Sequence, residues 1–116
     1  EVALTGQINT EVAGERYLGA IGGQLDFTLG AMAAAAGRSI VALASTADKD
    51  STSRIVARSK AGIVSIPRGC ADCIVTEYGV AELRGQTLSE RARRLVEVAH
   101  PDFRRELARD ARLLLG

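Results

Sequence analysis

Aromatic side chains make up 3% of this 116-residue chain, and tryptophan is missing altogether. A core built from such a sequence has to be aliphatic and rich in alanine. The same scarcity, with a net charge of +1 from 15 basic and 14 acidic residues, excludes a general nucleic-acid binder. Such a protein needs a basic stripe interleaved with aromatic platforms. No apolar run approaches the roughly 20 residues of a membrane-spanning helix, so no membrane partner is expected, and no signal-peptide pattern is visible. Histidine occurs once, at His100, and cysteine twice, at Cys70 and Cys73. The Cys70-Ala71-Asp72-Cys73 spacing resembles half a zinc site, but zinc needs two further ligands and His100 is the only histidine. A thioredoxin-like pair opens a helix, whereas Cys73 opens a strand-like run. The two thiols therefore read as unrelated, no metal is expected, and a reducing compartment, the cytoplasm, is the expected location.

What the chain does contain is 47% hydrophobic and 25% charged residues, the proportions of a globular domain. Residues 1–116 are enough for one domain with its own core. The chain opens on Glu1 and runs straight into the strand-like Val2-Ala3-Leu4-Thr5, so we expect a fragment of something longer.

One stretch organises the rest: Gly19-Ala20-Ile21-Gly22-Gly23-Gln24-Leu25-Asp26-Phe27. A glycine turn here opens into a helix expected over Leu25–Ala36, with Gly37 as its C-cap. A turn of this kind gathers free N–H donors and a partial positive charge at one point. That point suits a phosphate, a carboxylate or the oxyanion of an acyl-transfer step. A plain strand-to-helix connection uses the same residues.

Before the turn, Val2–Thr5 and Gln7–Val12 read as strands around Gly6, with Gly14 turning the chain. After the helix, Arg38–Ala44 reads as a buried strand and Ser45–Thr52 as a polar loop. Ser53–Ala57 and Ile63–Ile66 read as short strands, and Cys73–Thr76 as a buried one. Val80–Leu83 reads as a helical turn. Thr87 and Glu90 form a capping box for a helix striped by Leu88, Ala92, Leu95 and Ala99. Pro101 starts a last helix with Phe103, Leu107, Ala111 and Leu114 on its apolar face. The arginines of these two helices alternate with acids, the pattern of a solvated face laced with ion pairs. His100, before Pro101, reads as a structural helix start.

The expected fold class is therefore α/β, an open mixed sheet flanked by helices with a helical C-terminal tail. In an open α/β sheet, ligand sites lie at the carboxyl ends of the strands. Glu77 falls there, directly after Cys73–Thr76 and before the Tyr78-Gly79 turn. It is the second candidate site residue. No set of nucleophile, base and orienting residue is complete within the chain.

The same residues resemble a known family. Gly22-Gly23-Gln24-Leu25-Asp26-Phe27 followed by Gly30-Ala31 is similar to the GGQ-x-DF-x-x-GA segment of the acetyl-CoA hydrolase/transferase family. Ser53-Arg54-Ile55-Val56, Ile74 through Gly85, and Ala99-His100-Pro101-Asp102-Phe103-Arg104 resemble its other C-terminal signatures, in the family's order. The resemblance runs from about Leu4 to about Leu107. It implies a CoA-transferase-like subdomain, the C-terminal part of a cytoplasmic enzyme, probed by acyl-CoA and a short-chain carboxylate and completed by the missing N-terminal half. It also implies that coenzyme A is a substrate and not a permanently bound cofactor, and that the enzyme is a homo-oligomer. Catalysis in the family is covalent: a glutamate attacks the acyl-CoA thioester, and a glutamyl-CoA thioester follows. That glutamate lies upstream of the matched residues. By the resemblance Gly22 and Gly23 supply backbone oxyanion donors, Gln24 begins the helix beside them at the CoA site, and Glu77 is proximal to the active site. The chain departs from the family pattern at Leu29, where arginine is common, and at Ala57, where proline often follows the Ser-Arg-Ile-Val run. It departs again at Asp48–Thr52, which replaces a glycine-and-lysine loop.

Overall fold

The computed structural model describes all residues, Glu1–Gly116. Its centre is a three-stranded mixed sheet. β4 (Ile40–Ala42) runs parallel to β8 (Cys73–Thr76), and β8 pairs antiparallel with β9 (Gly79–Glu82). The register aligns Val41, Ile74 and Ala81 across the three strands. Successive strand residues face opposite ways, so this row faces one side and the neighbouring rows the other. Ile74 and Ala81 are buried in the core, with Val41 packed against it. The mixed sheet with helices against it is the α/β class expected from the sequence.

Two-stranded ribbons carry the remaining extended segments. β1 (Val2–Ala3) lies parallel to β7 (Ile55–Val56), while β2 (Val12–Ala13) pairs with β3 (Arg16–Tyr17) and β5 (Thr46–Ala47) with β6 (Thr52–Ser53) as antiparallel hairpins. Of the expected strand over Gln7–Val12, Ile8 makes isolated bridges to Val2 and Ile66, and Val12 alone belongs to a strand, as the start of β2. Ile66 makes the only bridge in the expected Ile63–Ile66 strand. Asn9 explains the break: its side chain accepts from the N–H groups of Glu11 and Val12 and donates to the Val12 carbonyl. A side chain that satisfies its own following backbone replaces a ladder partner. The expected Ser45–Thr52 loop contains the β5–β6 hairpin, turned by Asp48, Lys49 and Asp50, all at positive φ.

Three helices complete the chain. α1 (Gln24–Ala33) follows Gly23, and α2 (Leu88–Val98) is capped by Thr87, whose side chain accepts from the Glu90 N–H; the return bond of the expected capping box is absent, because the Glu90 carboxylate accepts from Arg93 and Arg94 instead. α3 (Pro101–Leu115) has Pro101 in its first turn and His100 as N-cap, with the ring accepting from the Asp102 N–H at 3.3 Å. α2 lies against β8 and β9, and α3 packs on α2. Ala92, Leu95, Val98 and Ala99 bury the inner stripe of α2, while Leu107 anchors α3. On the outer faces, Arg93 pairs with Glu90 and Glu97, Arg94 with Glu90, and Arg109 with Glu106 and Asp110. The solvated-face reading of these arginines holds.

Three local expectations are corrected. Val80–Leu83 is not a helical turn: Gly79–Glu82 forms β9, because a strand pairing with β8 satisfies its backbone and buries Ala81. α1 ends at Ala33, not at Ala36, and Gly37 is not its C-cap; its N–H bonds the Ala34 carbonyl, and a Cβ there would collide with the Ala31 carbonyl. The strand after α1 is not buried either, since Ile40 is 63% exposed. α1 is likewise exposed, with Phe27 at 83% and Thr28 its one buried residue.

At the amino-terminal end of the sheet sits Asp72, 2% exposed and directly before β8. Its carboxylate accepts from Arg38 Nε at 3.1 Å, Arg84 at 2.9 Å and the Ser39 N–H at 3.0 Å. The segments entering β4 and following β9 are thereby tied to the start of β8. Both arginines are half exposed and can turn to water, but the carboxylate cannot. We predict that Arg38→Ala with Arg84→Ala lowers the chemical-denaturation midpoint more than Asp72→Asn does, because it leaves a buried charge without cationic partners. The opposite order would overturn this account.

Candidate functional site

Gly22 takes φ +60°, the left-handed conformation that glycine adopts without strain, and Gly23 is the N-cap of α1. Gly23 has no side chain with which to cap the helix. The N–H groups from Gly22 through Asp26 find no backbone acceptor; the first to do so is Phe27, which donates to the Gly23 carbonyl at 3.1 Å. Five consecutive donors thus stand at the positive end of the helix dipole. A Cβ on Gly22 would meet nothing within 4 Å, so approach to this point is open. The Gln24 side chain accepts from the Thr10 hydroxyl at 2.9 Å, which ties the turn to the segment after Ile8.

Glu77 stands at the carboxyl end of β8, as its sequence position suggested. It is held firmly: Oε1 accepts from the Ser45 hydroxyl at 2.6 Å and Oε2 from the Ser45 N–H at 2.9 Å. The Ser45 hydroxyl, first among these partners, keeps the carboxyl below the ordinary 4.5; backbone N–H groups and His100 act in the same direction. Glu77 is therefore a carboxylate at neutral pH. Ser45 is fully buried and follows β4, so the clasp joins the carboxyl ends of two adjacent parallel strands. Tyr78, next in sequence, stacks edge-on against His100 at 5.6 Å, and the Arg104 guanidinium lies 5.2 Å from the Tyr78 ring centroid. The Thr76 hydroxyl donates to the Val98 carbonyl at 2.6 Å, fixing the end of β8 to α2.

No hydrogen bond links Gly22, Gly23 or Gln24 to Glu77 or Ser45, so the chain presents two separate features: a donor-rich turn and an anchored carboxylate. Ser45 is the residue that sequence reasoning missed as Glu77's partner. Its signal was positional, because a parallel pairing of the strands before it and before Glu77 brings the two to one edge. Cys70 lies in a 3-10 turn (Arg68–Cys70) and Cys73 opens β8; both are free thiols, and Arg38 donates to the Cys73 sulfur at 2.8 Å. No group of three or more metal-ligating side chains converges, and no helix is long and apolar enough to cross a membrane.

Residues 1–111 match the model of the acetyl-CoA hydrolase/transferase C-terminal domain. The chain belongs to this family. It is 44% identical over 108 residues to the 4-hydroxybutyrate coenzyme A transferase of Clostridium kluyveri, covering 92% of this chain and 25% of that protein. It is 43% identical over 114 residues to a probable butyrate:acetyl-CoA coenzyme A-transferase of Syntrophomonas wolfei, covering 96% and 26%. Among solved structures, RipA from Yersinia pestis superposes with a TM-score of 0.85 at 46% identity, over 98% of this chain and 24% of that one. The chain thus spans about a quarter of the length of the relatives it matches.

The Ser45–Glu77 clasp gives a pH signature. Because the folded carboxyl titrates below the unfolded value of 4.5, its contribution to stability is complete above that pH and is lost as the pH falls through the folded pKa. Ser45→Ala is expected to lower the denaturation midpoint at pH 7 and to make its decline below pH 4.5 shallower. Glu77→Gln should do the same, and the double variant should cost no more than the larger single change. Full additivity would show that the two groups do not act as a pair.

Proposed function

We propose that this chain is the C-terminal subdomain, residues 1–116, of an acyl-CoA:carboxylate CoA-transferase that exchanges coenzyme A between short-chain acids. The observation that carries the reading is the row of unpartnered N–H groups from Gly22 to Asp26, in a chain of this family. Acyl transfer moves negative charge onto a carbonyl oxygen. Preorganised backbone donors at that oxygen lower the barrier by about 3 kcal/mol without reorganising as the charge develops. Gly22 and Gly23 fill that role, with Gln24 beside the thioester and held to Thr10. Glu77 keeps the carboxyl ends of β4 and β8 together near the acyl site.

The nucleophile is a glutamate upstream of these residues. Its carboxylate attacks the acyl-CoA carbonyl and expels CoA thiolate, leaving an acyl-glutamyl anhydride. The thiolate returns to the glutamyl carbonyl, releases the first acid and forms glutamyl-CoA. The acceptor carboxylate then attacks that thioester, and thiolate recaptures the new acyl group. Coenzyme A and acyl-CoA are substrates throughout. The remaining polypeptide supplies the nucleophile and covers the exposed face of α1, so the subdomain alone is inactive. The two free thiols support a cytoplasmic setting, and the intact enzyme is a homo-oligomer.

Hydrolysis, with water in place of the acceptor, and a non-catalytic acyl-CoA-binding or interaction module are the alternatives, and the transferase names of the relatives favour exchange. With the full-length polypeptide and butyryl-CoA, a transferase releases CoA only into a new thioester once acetate is supplied. Free CoA formed at the same rate without acetate would establish the hydrolase instead. Peptide mass mapping after incubation with acyl-CoA should locate a CoA adduct on an upstream glutamate; a stable adduct on Glu77 would overturn the assignment of roles.

A further inference from the structure

We propose that a second site, the cleft between the Gly6 turn, the segment after β7 and the ends of α2 and α3, binds a compact oxyanion carried on an apolar body. The cleft holds about 400 Å³, within the range of small-ligand pockets. None of its twelve lining residues is acidic, and six are hydrophobic. Thr5, Gln7, Arg58 and Arg68 offer polar groups, while Val64, Leu88 and Leu115 provide an apolar floor. Gly22, Gly23, Gln24, Ser45 and Glu77 do not line it, so the site is distinct from the features assigned to acyl transfer.

Charge in this region is unbalanced. Arg38, Arg84, Arg93, Arg94 and Arg109 each have a carboxylate within 4.0 Å. Arg58 and Arg68 have none, a condition they share with six other arginines of the chain, but theirs are the two guanidinium groups in the lining of the cleft, and neither makes a hydrogen bond within the chain. Behind the wall lies Arg91, 9% exposed, which donates to the Arg68 carbonyl at 2.6 Å and the Gln86 carbonyl at 3.2 Å but meets no carboxylate. Burial first, and the Arg68 charge second, disfavour its protonated form. Gly6 is what admits it: φ there is +101°, and a Cβ would lie 2.9 Å from the Arg91 guanidinium. The carboxylate nearest to the lining in the hydrogen-bond network is Glu1, which accepts from the Ser59 hydroxyl at 2.8 Å.

Two arginines without carboxylate partners therefore line the cleft, Arg91 lies behind Arg68 through its bond to that residue's carbonyl, and one acid stands near the edge. A single unpaired surface arginine needs no explanation, but a buried one backing two free ones lacks a counter-charge. An oxyanion placed between Arg58 and Arg68 supplies it through charge-assisted hydrogen bonds, and the leucine and valine floor accommodates what the oxyanion is attached to. Carboxylates and phosphate esters share this chemistry.

The test uses the full-length polypeptide and isothermal titration with hexanoate, phenyl phosphate and inorganic phosphate. Arg58 and Arg68 are exposed and unpaired, so Arg58→Ala with Arg68→Ala leaves folding intact, which circular dichroism checks. We expect saturable, salt-sensitive binding of hexanoate or phenyl phosphate that weakens at least about tenfold in the double variant. Binding of hexanoate alone identifies a carboxylic acid as the ligand class, and binding of phenyl phosphate alone a phosphate ester. Failure of both probes to bind, or affinities unchanged in the double variant, overturns the site. Inorganic phosphate binding as tightly as phenyl phosphate overturns the apolar half of the proposal.

Discussion

The buried carboxylate of Asp72 is the constraint on which the central sheet depends. A parallel pair such as β4 and β8 lacks a tight turn to set its register, because a long connection separates the strands. Here the connection runs from Leu43 to Asp72 and contains the β5–β6 hairpin and β7, which pairs with β1. Asp72 fixes the pairing from one end by accepting the Ser39 N–H just before β4, Arg38 beside it, and Arg84 just after β9. A slip of one residue would turn Ile74 and Ala81 away from α2 and strand this carboxylate without its donors. Hydrophobic burial and charge pairing therefore select the same register.

The other end of the sheet is held by a second clasp. Ser45 and Glu77 close the carboxyl ends of β4 and β8 with two short hydrogen bonds to an ionised, exposed carboxylate. The two ends differ in kind. At Asp72 the acid is buried and its cations lie at the surface; at Glu77 the acid is at the surface and its partner, Ser45, is buried. The first arrangement resists water. The second keeps a negative group accessible while removing its freedom to rotate.

Helix starts and stripes were legible in the sequence because each is a local signal. Thr87 with Glu90, Pro101 after His100, and the Ala92–Leu95–Ala99 spacing depend only on neighbours along one helix. The donors at Gly22–Asp26 were legible for the same reason. The β9 segment was not, since Gly79–Glu82 becomes a strand only through pairing with β8, and the short run Val80–Leu83 has no periodicity to separate strand from helical turn. Asn9 stopped the Gln7–Val12 strand through its own backbone hydrogen bonds, a competition that composition does not reveal. Glu77 could be placed at a strand end, but its partner Ser45 is 32 residues away in sequence. The Arg91 environment was hidden for a similar reason: on α2 it reads as one more surface arginine, and only the fold brings Gly6 and Arg68 around it.

The exposure of α1 follows from the same physics. Phe27, Leu29 and Met32 stand in solvent on a helix whose one buried residue is Thr28, and Ile40 stands exposed on the neighbouring strand. A helix with apolar residues on its outer side is stable in an assembled protein only where something covers it. Relatives about four times the length of this chain contain enough polypeptide to do so. On the transferase reading, that cover has a second effect. Water excluded from the start of α1 can no longer satisfy the N–H groups of Gly22 to Asp26, and the local dielectric falls. Donors that are merely hydrated in the isolated subdomain then become strong ones, reserved for an oxyanion. The apolar surface of α1 and the polar groups at its first turn are thus two requirements of one arrangement: the surface recruits the cover, and the cover strengthens the donors.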